Sequence, residues 1–160
     1  MAIEFREGCY ACIQEQDPDL PPRDCIYRTE HWRVAHAFNS TLEGWLVILP
    51  TSHTASFTDL APAAANELGT LVVRLSQALE AVTGAVKTYL AQFSEAPGFS
   101  HLHLHLIPRL ANHPVAALGP RVFTLLAEDE TRWLEASQRD QFAIALRREL
   151  SRTRPHDRVV

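Results

Sequence analysis

The sequence predicts an α+β fold in which helices pack on a largely antiparallel, five-stranded sheet. The first observation behind this prediction is the order of segments, β-β-β-α-β-β-α, in which strands outnumber long helices and do not alternate with them. The second is size and composition, since 160 residues with 46% hydrophobic and 21% charged side chains are typical of one soluble domain with a substantial core.

Five segments have the composition of strands. The third, at 44–50, is rich in β-branched and aromatic residues and is bounded by glycine and proline, which favours a buried strand. The predicted strands cover 25–28, 32–36, 44–50, 85–93 and 101–108.

The first long helix is predicted at 62–82. Pro62 suits the first turn, where its missing N–H would have no partner, and Gly84 suits the left-handed residue that ends a helix. The apolar residues recur at steps of three and four, which places them in one stripe along the helix. That stripe consists of Leu68, Leu71, Leu75, Leu79 and Val82.

A second helix is predicted at 138–152. Ser137 is interpreted as its N-terminal cap, with Asp140 three residues further on. Its apolar side chains are expected to face the core, and they are Phe142, Leu146 and Leu150.

Charge and hydropathy exclude several classes of protein. Fifteen Lys and Arg against nineteen Asp and Glu give a net charge of −4, whereas a non-specific nucleic-acid binder needs a cationic face. The longest strongly apolar run, 45–49, is far shorter than the roughly 20 residues of a membrane-spanning helix. The first seven residues carry charges where a signal peptide would be apolar. We therefore expect a cytoplasmic protein with neither nucleic acid nor membrane as a partner.

Three of the eight histidines alternate with leucines in 101–106. Because side chains in a strand point to opposite faces with period two, the histidines are expected to line a cleft while the leucines cover the core. Neighbouring histidines are then roughly 6.6–6.8 Å apart along the strand, so all three cannot reach one metal ion. At least one imidazole stays free, and a free neutral imidazole is a competent nucleophile or general base.

The pair Cys9-x-x-Cys12 leaves three interpretations open. The first interpretation is half of a zinc site, since such sites commonly have four cysteine and histidine ligands. A thioredoxin-like redox pair is the second interpretation, although no strand is predicted before it. Two ordinary buried cysteines are the third.

Two histidine-containing segments carry a resemblance to a known family. The run 101–107 resembles the signature of the histidine triad (HIT) family, His-φ-His-φ-His-φ-φ with φ apolar. Upstream, 44–53 is similar to that family's Gly-His-x-Leu-Val-x-Pro-x-x-His segment. The pair Cys9-x-x-Cys12 resembles the N-terminal pair of bacterial, zinc-containing members. The resemblance covers about 9–109.

This resemblance implies one HIT-like domain over 1–160. The core that bears the motifs covers about 9–109, followed by a strand and helix extension over about 110–154. The polar tail at 155–160 is expected to be frayed.

The resemblance also implies an activity. HIT proteins are nucleotidyl hydrolases and transferases that act on the α-phosphate of a nucleotide, such as a dinucleoside polyphosphate or a nucleoside phosphoramidate. The middle histidine, which matches His103, attacks phosphorus and forms a covalent nucleotidyl-histidine. The third, which matches His105, contacts the phosphate. Two subunits usually join their sheets, so a homodimer is implied.

A structural zinc ion is implied in the same way. In zinc-containing members the metal is held by the cysteine pair, by the histidine after Pro-x-x and by the first histidine of the triad. These positions are Cys9, Cys12, His53 and His101. Four protein ligands close the site, which makes it structural rather than catalytic.

Two further positions match the family more loosely. Asn39 matches the residue that holds the ribose, and Gln92 matches an amide on the strand before the triad, so both are candidate substrate-binding residues together with His105. The chain departs from the pattern at Trp45, where the family usually has histidine, and in the short loop 94–100, which lacks Gly-Gln-Ser.

Two alternative functions remain. The first is a nucleotide sensor on the same fold that binds without turnover. The second is a catalytic zinc enzyme in which His101 and His103 are metal ligands and one coordination position stays open.

Overall fold

The computed structural model describes residues 5–152 and has five strands in one antiparallel sheet, in the order β1-β2-β3-β5-β4. This confirms the predicted fold class. The strands are β1 Tyr27–Arg28, β2 Trp32–His36, β3 Leu46–Pro50, β4 Lys87–Gln92 and β5 Leu104–Arg109. The helices are α1 Tyr10–Glu15, α2 Pro62–Thr83 and α3 Ala136–Arg152.

One face of the sheet is covered by α2 and α3. Helix α2 agrees with its prediction, since Pro62 begins it and Gly84 ends it at φ 68°. Its leucine stripe packs on Leu104 and Leu106 of β5, as the alternation in that strand predicts. The remaining large side chains of this core come from the other strands and α3, and they include Trp32, Val34, Ile48, Phe142, Leu146 and Leu150.

The opposite face carries the segment 110–135. This segment has three 3₁₀ turns and one isolated antiparallel bridge, between Ser40 and Leu126. Its Val122 packs with the fully buried Trp45 and with Ile107. The predicted tail, 155–160, lies outside the described residues, and the single-domain organisation remains a prediction.

Strand β5 begins three residues later than predicted. Residues 101–103 have no partner strand, because Leu102 N–H donates to the Thr54 carbonyl and His103 N–H donates to Ser94 Oγ. The prediction that all three histidines lie in the strand is therefore wrong. Only His105 lies within β5.

Two local predictions about helices are also wrong. Ser137 lies inside the first turn of α3 and does not cap it; instead Glu135 N–H donates to Gln138 Oε1. Asp140 accepts hydrogen bonds from Arg23, which tethers α3 to the chain before β1. The six-residue helix α1 was not predicted.

No helix within residues 5–152 has the length and apolar character needed to cross a membrane.

Candidate active site and metal centre

Four side chains from three distant parts of the chain converge beside the sheet. Cys9 and Cys12 lie at the start of α1, His53 follows β3, and His101 precedes β5. Their Sγ and imidazole nitrogen atoms all lie within 4.8 Å of one another, and all but the half-buried His53 are buried. The structure therefore brings together the four predicted metal ligands.

The spacing within this cluster suits zinc. The Nδ1 atom of His101 is 3.5 Å from Cys9 Sγ and 3.6 Å from Cys12 Sγ, and His53 Nδ1 is 3.3 Å from Cys12 Sγ. Zn–S bonds of about 2.3 Å and Zn–N bonds of about 2.0 Å at a tetrahedral angle place sulfur and nitrogen about 3.5 Å apart. Two thiols and two imidazoles are also the donor set that zinc prefers.

Hydrogen bonding and burial prepare His101 as a ligand. Its Nε2 donates to the Pro50 carbonyl at 3.0 Å, which leaves the Nδ1 lone pair directed at the cysteines. Burial lowers the pKa of His101 to about 4, so the ring is neutral at physiological pH. Burial raises the pKa of the Cys12 thiol, and a bound cation would offset that cost by favouring the thiolate.

A buried ion pair holds α1 against the sheet. Arg33 of β2 is fully buried and donates from Nε to Glu15 at the end of α1, whose side chain is 2% exposed. Arg33 also donates to the Asp24 carbonyl and to Gln14 Oε1. These contacts position the helix that carries the two cysteines.

A cavity of about 360 Å³ lies beside the histidine triad, and His101, His103 and His105 all line it. Its walls are mostly apolar and aromatic, and the segment 110–135 closes one side with Phe123 and Leu126. The polar residues that line it include His103, His105, Asn39 and Ser94, and the aromatic ones are Tyr10, Phe38, Phe93, Phe99 and Phe123.

The hydrogen bonds of His103 define the state of its ring. Nδ1 lies 2.8 Å from the carbonyl oxygen of His101, and because a carbonyl can only accept, Nδ1 carries the proton. In the neutral ring Nε2 then carries the lone pair, and no hydrogen bond engages it within residues 5–152. Ser94 Oγ accepts from the His103 backbone N–H at 3.0 Å.

Ser94 adopts an unusual backbone conformation to reach this position. Its φ is 54°, the left-handed region that costs a residue with a side chain about 1 kcal/mol or more. Its Oγ also accepts from Gln92 Nε2 at 2.9 Å and lies 3.2 Å from His103 Nδ1. Neither the position nor the strain of Ser94 has a signal in the sequence pattern.

His105 has a different environment from His103. It is 8% exposed, and Nε1 of Trp45 donates to its Nδ1 at 3.0 Å. Burial, and to a smaller degree the nearby His103, lowers the pKa of His105 to about 3. The ring of Phe123 stands edge-on to His105 at 5.1 Å between centroids. From the sequence, Trp45 is only a departure from the family pattern, and no motif points to Phe123.

The two loosely matched positions are placed differently. Asn39 is half-buried and lines the cavity. Gln92 is not among the residues that line it, and its amide donates to Ser94 instead. The binding roles of both residues remain predictions.

Comparison with known proteins agrees with this geometry. A family model described as the HIT domain matches residues 21–112, more than half of the chain, and the chain belongs to this family. The matched region contains His53 and the whole triad but neither Cys9 nor Cys12. No curated protein sequence matches the chain significantly.

Solved structures share the fold. A HIT-like protein involved in cell-cycle regulation from Bartonella henselae is 15% identical, with a TM-score of 0.70 over 91% of this chain and 98% of that one. A zinc-bound histidine triad protein from Mycobacterium smegmatis is 20% identical, with a TM-score of 0.66 over 90% and 94%. A histidine triad protein from Bradyrhizobium japonicum is 24% identical, with a TM-score of 0.65 over 79% and 89%.

Proposed function

We propose that this protein is a nucleotidyl hydrolase or transferase that uses His103 as its nucleophile. The observation that carries the proposal is the 2.8 Å hydrogen bond between His103 Nδ1 and the His101 carbonyl, because it makes Nε2 the nitrogen with the lone pair in the neutral ring of a residue that lines the cavity. A neutral imidazole with a free lone pair has the reactivity that covalent catalysis requires.

The reaction takes place in two displacements. Nε2 of His103 forms a bond to the α-phosphorus, and the bond from phosphorus to the leaving group breaks, with the electron pair going to the leaving group. Water or a second acceptor then attacks the same phosphorus, the P–N bond breaks, and the electron pair returns to Nε2. The Nδ1–H bond to the His101 carbonyl stabilises the positive charge that the ring gains in the intermediate.

The walls of the cavity suit a nucleotide. Aromatic and apolar side chains offer contacts for a base, and Asn39 offers an amide for the ribose. We propose dinucleoside polyphosphates and nucleoside phosphoramidates as the substrate classes, with His105 as a donor to the α-phosphate.

The cysteine and histidine cluster is proposed as a structural zinc site. Its ligands would be Cys9, Cys12, His53 and His101, and a metal there would hold α1 and the triad segment together. The alternative in which His101 and His103 both bind a catalytic metal receives no support, because the metal-compatible group found within residues 5–152 does not include His103.

A sensor that binds nucleotide without turnover is the second candidate. One observation favours it: no lysine or arginine is among the cavity-lining residues of 5–152, whereas Asp24 and Glu95 are. A polyphosphate would meet uncharged donors such as Asn39 and Ser94 but no lysine or arginine among the lining residues that the structure describes, which suits binding of a nucleoside monophosphate better than stabilisation of several phosphate charges.

Intact-protein mass spectrometry after a neutral quench distinguishes the two candidates. Wild type is mixed with diadenosine polyphosphate or with adenosine phosphoramidate, in parallel with His103→Ala and with the control His113→Ala, which lies outside the cavity lining. We expect a nucleotidyl adduct and product release in wild type and in the control but not in His103→Ala. Binding of adenosine monophosphate with no adduct and no product would establish the sensor. Turnover at the wild-type rate by His103→Ala would exclude the mechanism.

We also propose that the protein is a cytoplasmic homodimer. Strand β4 is at the edge of the sheet, and Val86, Leu90 and Phe93 in and beside it are 51%, 51% and 57% exposed. Pairing β4 with that of a second copy would satisfy the free backbone groups and cover these side chains. Sedimentation velocity should give a dimer that Leu90→Lys dissociates and that Val115→Lys, at a site 74% exposed, leaves intact. The free cysteines agree with a reducing compartment.

A further inference from the structure

The bond between Trp45 and His105 can form in only one direction. An indole N–H donates and has no lone pair with which to accept. Since Trp45 Nε1 lies 3.0 Å from His105 Nδ1, Nδ1 must be the unprotonated nitrogen of that ring. The single proton of the neutral imidazole is then on Nε2.

We propose that Trp45 is a positioning residue that holds His105 in its Nε2–H tautomer, so that His105 presents a fixed N–H donor to an anionic oxygen in the cavity. The assignment of the tautomer stands on the geometry alone. Its consequence for phosphate binding and turnover rests on the proposed function.

Packing fixes the position of the Trp45 ring relative to the His105 ring. Trp45 is fully buried, its carbonyl accepts from Ala37 N–H at 2.8 Å, and the next residue begins β3. His105 is paired with Val47 of that same strand. Phe123 stands edge-on to both rings, at 5.3 Å from Trp45 and 5.1 Å from His105. Neither ring can rotate away without breaking this arrangement.

The partners of His103 and His105 impose opposite tautomers on the two rings. His103 Nδ1 faces a carbonyl, which only accepts, so its proton is on Nδ1. His105 Nδ1 faces an indole N–H, which only donates, so its proton is on Nε2. The rings are 5.0 Å apart between centroids, yet one offers a lone pair and the other an N–H. The two histidines therefore cannot exchange roles.

A histidine at position 45 would not impose this choice. An imidazole either donates or accepts, so Trp45→His allows both tautomers of His105, whereas Trp45→Phe removes the donor altogether. Trp32→Phe is the matched control: Trp32 is equally buried and its Nε1 donates to a backbone carbonyl, of Ala64, but it lies in the core under α2.

The tautomer can be read directly with ¹⁵N-histidine and long-range proton–nitrogen correlation spectra. His105→Asn identifies the signals that belong to His105. In wild type and Trp32→Phe we expect His105 Nδ1 at the frequency of an unprotonated ring nitrogen and Nε2 at that of a protonated one. In Trp45→Phe and Trp45→His we expect averaged frequencies. A protonated Nδ1 in wild type, or an unchanged pattern in Trp45→Phe, would overturn the proposal.

Kinetics with the diadenosine substrate test the consequence. Complete loss of one fixed donor to a developing charge lowers kcat by about a hundredfold to a thousandfold, and a donor that is present for only part of the time should cost less. We expect kcat of Trp45→Phe to fall by at least about tenfold with little change in KM, and kcat of Trp32→Phe to stay within about twofold. Equal losses in both variants would mean that only packing was disturbed. Because the spectra need no substrate, they decide the tautomer even if the protein proves to be a sensor.

Discussion

His101 of the cysteine and histidine cluster lies in the same short stretch of chain as His103 and His105, yet the cluster and these two histidines depend on different parts of the molecule. The cluster joins His101 to side chains that are 89 and 92 residues away in sequence. His103 is instead oriented by its neighbours Ser94 and His101, within 9 residues. We therefore expect damage to the cluster to affect the stability of the fold, whereas damage beside His103 should affect chemistry first.

The largest expected effect is loss of the metal. Cys12→Ser removes a thiolate from a closed site, so zinc per chain should fall and the free energy of unfolding should decrease by several kcal/mol. Cys25→Ser is the matched control, since Cys25 is half-buried and outside the cluster. Zinc content by elemental analysis and urea unfolding measure both effects. Equal zinc in the two variants would refute the metal assignment.

The next largest loss of stability is expected at the buried ion pair that holds α1 against the sheet. Arg33→Met leaves the carboxylate of Glu15 without its fully buried partner, and breaking such a pair costs about 3–5 kcal/mol. Arg28→Met removes the half-exposed partner of the same carboxylate and should cost less than about 1 kcal/mol. Chemical unfolding with zinc bound compares them. Equal costs would show that α1 does not depend on the buried pair.

A smaller loss in the free energy of unfolding is expected as the pH falls. His36 is buried with both ring nitrogens hydrogen-bonded, to the Ala37 carbonyl and the Gly44 N–H, and burial lowers its pKa to about 4. Because the unfolded chain protonates near pH 6.5, the stabilisation is complete above that pH and is lost as the pH falls toward 4, by about 2 kcal/mol at pH 5. His36→Gln should flatten the fall in unfolding free energy between pH 7 and pH 5. An unchanged slope would show that His36 is not the titrating group.

The smallest effect on stability is expected at Ser94. Both Ser94→Ala and Ser94→Gly remove the hydroxyl that accepts from His103 N–H, so both should lower turnover by about tenfold if the proposed function holds. Only glycine adopts a positive φ without strain, so the free energy of unfolding of Ser94→Gly should exceed that of Ser94→Ala by about 1 kcal/mol. Identical stabilities for the two variants would mean that Ser94 is not strained.

Elements with a strong local pattern could be predicted from the sequence. Helix α2 has a leucine period and a proline and glycine at its ends, and β2 agrees with its predicted bounds. Helix α1 could not be predicted, because six residues carry too little periodicity and its position depends on the distant Arg33. The start of β5 depends on which residues pair with a neighbouring strand. The alternation of histidine and leucine in 101–106 does not determine that pairing.

The candidate site likewise contains residues that could be identified from the sequence and residues that only the structure reveals. The four metal-compatible residues were implied by the resemblance to the HIT family, and the structure brings them together, whereas spacing alone had left three interpretations of the cysteine pair open. Trp45 and Phe123 could not be recognised as neighbours of His105, since one precedes β3 and the other lies in the segment after the triad. Contacts of that kind exist only after the sheet and the 110–135 segment have packed.

The separation of the cluster ligands also has a consequence for the order of folding. Joining Cys12 to His53 closes a loop of 41 residues, and joining it to His101 closes one of 89. Closing such loops costs chain entropy before any contact is gained, whereas the turns of α2 form locally. We therefore expect α2 and the central strands to form first and α1, which carries Cys12, to dock last. A metal ion would then bind at a late step, once the sheet that carries His53 and His101 has assembled.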